Sequence, residues 1–238
     1  MGSGIFVNQG TVSVTGGQLD LVGGTLSNGS TIGSSGPGLV QLASGTLTAS
    51  GTVNVQNFVL AGGTVTGNQT FAGSLTWTGA DFNSANTTTI NSGSVLTIAS
   101  AADHNFQSHT LINQGTVNWT AGNLRDGSSG SINNQGTWND TSSGYQVNSA
   151  YGGGTTFVNS GTYTKSTVGS TTTMTVPLTN TGTINVTGGT FALTNSFTNT
   201  GMLSLSTGTS LTSTSALTFG AGSLWRGDGA VTASALAN

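Results

Sequence analysis

Three stretches of one design decide how this chain folds: TLINQGTVNW at residues 110–119, SINNQGTWND at 131–140 and TFVNSGTYTK at 156–165. Each alternates apolar and polar residues, breaks at Asn-x-Gly, and then alternates again. Alternation with period two turns every second side chain to the same side, as a half-buried β-strand requires, and no helical period of 3.6 survives more than a turn. Asn and Gly tolerate the left-handed backbone of a sharp corner without Cβ strain. The same element stands at Asn8, Asn91, Asn113, Asn134, Asn159, Asn180 and Asn199, and from Asn91 onward the steps are 22, 21, 25, 21 and 19 residues. Such a step is too short for a propeller blade and fits one coil of a β-solenoid.

The sequence therefore predicts an all-β parallel solenoid of about 20 residues per coil, with strands stacked at roughly 4.8 Å. Eleven or twelve such coils would make a rod on the order of 55 Å long. Stacking also places the recurring Asn side chains one above another. The expectation is a hydrogen-bonded ladder through Asn8, Asn91, Asn113, Asn134, Asn159, Asn180 and Asn199 that satisfies the buried amides of the corners.

Composition narrows the function classes. Only 4% of the 238 residues are charged, far below the typical quarter, and Thr, Ser, Asn and Gly replace charge as the polar surface. The 39 glycines show no collagen period, and the β-branched alternation argues against disorder. Arg125, Lys165 and Arg226 are the three cations in a chain of net charge −3. They form no basic stripe, so nucleic acid is not an expected partner. There is no cysteine and no apolar run of eighteen residues, which leaves no disulfide framework, thiolate metal site or membrane-spanning helix to expect. No cofactor motif stands out.

A longer period overlies the coils. NQGTVSVTGGQLDL at residues 8–21 returns as NTGTINVTGGTFAL at 180–193, an offset of 172. Residues 5–238 accordingly read as one super-repeat of about that length plus the start of a second, cut from a longer array. Met1-Gly2-Ser3-Gly4 reads as a start residue and an appended linker, with any secretion signal removed.

Leu75-Thr76-Trp77-Thr78-Gly79, the stretch from Thr110 to Trp119, and the stretch from Phe157 through Thr162, Lys165 and Pro177 to Gly182 resemble repeats of very large secreted bacterial surface proteins. These are similar in style to filamentous-haemagglutinin and autotransporter-passenger segments. The resemblance covers most of residues 5–238. It implies a single-stranded right-handed parallel β-helix, extracellular or cell-surface display and an adhesive or structural role, and it brings no catalytic residues.

Several residues invite chemistry. Asp81 and Asp103 each precede an Asn-x-Gly element by ten residues and Asp126 by eight. Stacked, they would form an acidic stripe able to place a general acid and base for polysaccharide cleavage, with His104 beside it. Each also lies in a turn-forming stretch where Asp bonds its own backbone, and that reading is preferred. His104 and His109 make an incomplete metal set. Lys165 reads as buried or turn-anchoring. Arg226-Gly227-Asp228 spells an integrin tripeptide but aligns with Thr48-Ala49-Ser50-Gly51, as drift in a tight turn would. Thr-x-Thr triplets starting at Thr46, Thr64, Thr76, Thr162 and Thr173 suggest ice binding, yet their steps of 18, 12, 86 and 11 residues miss the coil period. Trp77, Trp119, Trp138, Trp225, Tyr145, Tyr151 and Tyr163 fit either sugar-stacking platforms or core ladders, the latter preferred.

The expectation from sequence is a non-catalytic structural or adhesive stalk that stacks end to end with its own copies, with surface glycans as a further partner. A β-helical carbohydrate-binding or degrading module is the alternative, and ice binding a minor one.

Overall fold

The computed structural model describes residues 5–238; the proposed linker Met1–Gly4 lies outside the described residues. The chain winds into a parallel β-solenoid of about 11 turns with roughly 21 residues per turn, and no helix occurs among the described residues. Each regular turn has three strands, so the column has three faces. Face A stacks Thr87–Ile90, Thr110–Asn113, Ser131–Asn134, Thr156–Asn159, Leu178–Asn180 and Phe197–Asn199. Face B stacks Val95–Ile98, Thr116–Trp119, Thr137–Asp140, Thr162–Lys165, Thr183–Val186 and Met202–Leu205. Face C stacks His104–Asn105, Leu124–Asp126, Gln146–Ser149, Thr171–Met174 and Thr190–Leu193.

The alternation sends one residue in two inward. On face A the inward row runs Leu111, Ile132, Phe157, Leu178, Phe197, and on face B it runs Leu96, Val117, Trp138, Tyr163, Ile184, Leu203; all are buried. Each turn thus covers the apolar floor of the next, and each large side chain so buried contributes about 1.5–3 kcal/mol. Trp138 and Tyr163 stack at 6.5 Å with 16° between planes, and Phe157 meets Trp138 edge-on at 5.4 Å. Outward, hydroxyls and amides line face B: Thr116, Thr137, Thr162 and Thr183 form one row, and Thr97, Asn118, Asn139, Thr164, Asn185 and Ser204 another. The threonines here do recur once per turn; the partner two places on is often Asn, so counting Thr-x-Thr alone missed the row.

The corner from face A to face B explains why the signature is Asn-x-Gly. Built on Gly161, a Cβ would lie 2.1 Å from the Gly136 carbonyl oxygen, and Gly136, Gly182 and Gly201 meet the glycine carbonyl of the preceding turn equally closely. Only a residue without a side chain lets the corners nest at strand spacing.

The first turns break the pattern. Val7–Asn8 pairs with Gly24–Leu26, which leads through Thr46–Ala49 and Thr64–Thr66 to Asp81, and this is face C. Gln18–Leu21 leads through Leu39–Leu42 and Phe58–Leu60 to Leu75–Trp77 and so to face B, whereas its super-repeat counterpart Thr190–Leu193 lies on face C. The two copies of the long repeat are therefore turned by one face. The motif makes a corner wherever it occurs, and it does not say which corner.

Candidate functional site

The ladder exists over five turns. Nδ2 of Asn113, Asn134, Asn159 and Asn180 donates to Oδ1 of the next Asn at 2.7, 2.6, 2.7 and 2.6 Å, ending on Asn199. The same nitrogens reach the backbone carbonyls of Thr137, Thr162, Thr183 and Met202 in the following turn. All five side chains are fully buried, so each amide closes both its own corner and its neighbour's.

Asn91 and Asn8 do not belong to it. Ile90, not Asn91, registers with Asn113, because Asn91-Ser92-Gly93-Ser94 holds one residue more than Asn113-Gln114-Gly115 before its face B strand, and Gly93 turns at φ 76°. Asn8 forms the same local bonds, accepting from Gly10 N at 3.0 Å and donating to Thr31 O at 2.8 Å, but at the C-to-A corner, where Leu26 stands in the next turn.

The acidic stripe, the less favoured reading of Asp81, Asp103 and Asp126, does not form. His104 pairs with Leu124 and Asn105 with Arg125, which sets Asp103 and Asp126 three residues apart along face C. Asp81 accepts from Asn105 Nδ2 at 2.8 Å. Asp103 is ion-paired with Arg125 and bonded to Asn123 at 2.8 Å, and the Asn123 bond first, then Arg125, holds its pKa below the usual carboxylate range. Arg125 reaches back one turn to Asp103, lies 5.2 Å over the Tyr151 ring and donates to its hydroxyl at 3.0 Å. Asp126 is buried, with Oδ1 accepting from Gly127 N at 2.6 Å and Oδ2 unpartnered. Three acids in three environments give no acid–base pair across a common space.

The two histidines are interior as well. His109 bonds the Ser84 carbonyl at 3.1 Å and Thr88 Oγ1 at 2.9 Å, and Thr88 in turn accepts from Gln69 Nε2 at 2.5 Å. His104 packs 4.9 Å from Trp77. Trp77, Trp119, Trp138 and Tyr163 are all fully buried and offer no surface to a sugar ring; Trp225, on the last turn, is 47% exposed.

Burial sets an opposed pair of titrations. It pushes His109 down to about 4 and raises Asp126 to about 7. His109 is neutral when folded, so its contribution is full above pH 6.5 and is lost as pH falls from 6.5 towards 4. Asp126 keeps its proton when folded, so its contribution is full below pH 3.8 and is lost as pH rises from 3.8 to 7. Between pH 4 and 6.5 the two slopes, each about 1.4 kcal/mol per pH unit, run against each other. His104, also lowered by burial, slopes the same way as His109, so relative to the parent His109→Gln is expected to tilt the stability curve downward with rising pH through this window, and Asp126→Asn to tilt it upward. Urea midpoints measured from pH 4 to 7 check both signs; parallel curves for the two variants would refute the assignment.

Lys165 is buried, as its sequence suggested, but the sequence reading missed its neighbour Asp140. Asp140 and Lys165 register on face B and point inward, both fully buried. A signal was available: each stands six residues after its Asn-x-Gly asparagine, at 134 and 159.

Comparison with family models, with curated proteins and with solved structures gives no match.

Proposed function

We propose that this chain is a structural and adhesive stalk segment of a secreted bacterial surface or matrix protein, non-catalytic, and able to lengthen by stacking end to end. The observation that carries this reading is the unbroken parallel column itself, about 11 turns closed by backbone ladders. Its ring rows face inward, and the long outward rows of face B are uncharged from Thr97 to Ser204. Nearly all its pairing partners are one turn away, so load along the axis is shared by many short hydrogen-bonded strands. Uncharged hydroxyl and amide rows suit contact with surface glycans through hydrogen bonds.

End-to-end stacking rests on the end turns. Ile5, Val7 and Val22 are exposed at one end and Leu224, Trp225 and Leu236 at the other. Among the described residues the strand edges there are unpaired and offer the same parallel spacing that joins the internal turns. Sedimentation velocity across a hundredfold concentration range is expected to show species that lengthen without thickening. A strict monomer at the highest concentration would remove the stacking part. The stalk part is tested separately by pulling the chain between its ends: turn-by-turn lengthening supports it, and collapse in one low-force event counts against it.

A further inference from the structure

The corner motif does not fix its own place in the column. It closes the C-to-A corner at Asn8 and the A-to-B corner at Asn113. Successive face B strands are also near-copies on their outer side, with Thr116, Thr137, Thr162 and Thr183 at the first place and Asn118, Asn139, Thr164 and Asn185 at the third. Backbone ladders and outward residues would accept a strand stacked one turn out of place almost as well as the correct one.

The inward ends of these strands differ. In order they are Trp119, Asp140, Lys165 and Val186, each in register with the next. Asp140 Oδ1 accepts from Ser142 N at 2.9 Å and Ser142 Oγ at 2.6 Å, and Oδ2 accepts from Tyr163 Oη at 2.8 Å. Lys165 Nζ donates to Ser170 Oγ at 2.7 Å, to Ser142 O at 3.3 Å and to Thr167 O at 3.4 Å. Ser142 thus links carboxylate to ammonium without a direct contact between them, and the two bonds that cross between turns, Tyr163 Oη to Asp140 and Lys165 Nζ to Ser142 O, form only when the turn holding Asp140 lies directly against the turn holding Lys165.

We propose that Asp140 and Lys165 are a register lock, two opposite buried charges on neighbouring turns, joined through Ser142, that make one stacking order acceptable while the column winds. Stacked directly on Thr116–Trp119, the strand Thr162–Lys165 would set Lys165 against Trp119. Stacked directly on Thr137–Asp140, the strand Thr183–Val186 would set Asp140 against Val186. Either slip buries an uncompensated charge, which is strongly destabilising, whereas replacing both partners by apolar residues of similar size is often neutral or stabilising. The pair therefore adds little to the stability of the correct column and much to the cost of the wrong ones, as a buried polar residue does in fixing coiled-coil register.

The chain has no cysteine, so paired cysteines can report register. Asn139→Cys with Thr164→Cys joins neighbours in the correct column, at a separation a disulfide spans. Asn118→Cys with Thr164→Cys lies two turns apart and closes only in the slipped one. After refolding from denaturant and mild oxidation, the native background is expected to form the first cross-link and not the second. In Asp140→Leu/Lys165→Leu the melting temperature is expected to hold or rise while the second cross-link grows on the order of tenfold over background. Should the leucine pair fail to fold, Asp140→Asn/Lys165→Met removes both charges at nearly constant shape and carries the same expectation. An unchanged cross-link pattern in the folded variant overturns the proposal, whether or not stability drops, because the pair would then serve stability alone.

Discussion

Trp138→Ala is expected to lower the stability of the column by about 4 kcal/mol, at the upper end of what large-to-small substitutions in protein cores cost. The ring is fully buried in the inner row of face B, between Val117 on one side and Tyr163 on the other. Its indole nitrogen has no hydrogen-bond partner, so the loss is one of packing alone. The surrounding turns are held at strand spacing by their ladders and cannot collapse into the space, which keeps the cavity open and the cost high. Trp225→Ala, on the half-open last turn where the ring is 47% exposed, is expected to cost about half as much, because about half of the ring already faces solvent. Urea denaturation of the two variants measures the contrast, and equal midpoints would show that the ring row is not the packing spine.

Asn159→Ala is expected to cost about 3 kcal/mol, because the substitution strands its neighbours as well as removing itself. Asn134 Nδ2 loses the acceptor it holds at 2.6 Å, and Asn180 Oδ1 loses the donor at 2.7 Å, both in the buried interior. Asn159→Asp, equal in shape but unable to donate as a carboxylate, is expected to be no better. Asn91→Ala, outside the ladder, is expected to fall within about 0.5 kcal/mol of the parent, as surface changes away from such networks usually do. Hydrogen exchange at the corners of residues 134, 159 and 180 reads the same effect locally. Protection there unchanged in Asn159→Ala would mean that the ladder contributes nothing.

The strands and the corners were legible in the residues because both signals are local. Thr116-Val117-Asn118-Trp119 alternates within four residues, and Asn113-Gln114-Gly115 announces a turn within three. The ladder was legible from the recurrence of Asn at coil spacing, and over five turns the stacking follows that spacing. Asn91 escaped because one added residue before Val95 shifts its place by a single position, a difference that a periodicity read to the nearest few residues does not resolve. The acidic stripe failed for a related reason: Asp81, Asp103 and Asp126 were aligned on the next corner, while the loops between face C and that corner vary in length. Only the strand register shows Asp103 turned to Arg125 and Asp126 turned into the core.

By itself the sequence determined the unit: a short strand, a glycine corner that nests on the one before, a second strand, and a polar exterior that owes almost nothing to charge. Which face each unit occupies was decided by the tertiary structure, since the same fourteen-residue pattern lies on different faces at residues 8–21 and 180–193. So was the meeting of Asp140 with Lys165, 25 residues apart in the chain and in register in the column. The physical reason is one of range. Backbone preference is set by a residue and its immediate neighbours, and it is nearly the same at every corner, whereas the partner that buries a side chain belongs to the next turn and becomes its neighbour only once the chain has wound around.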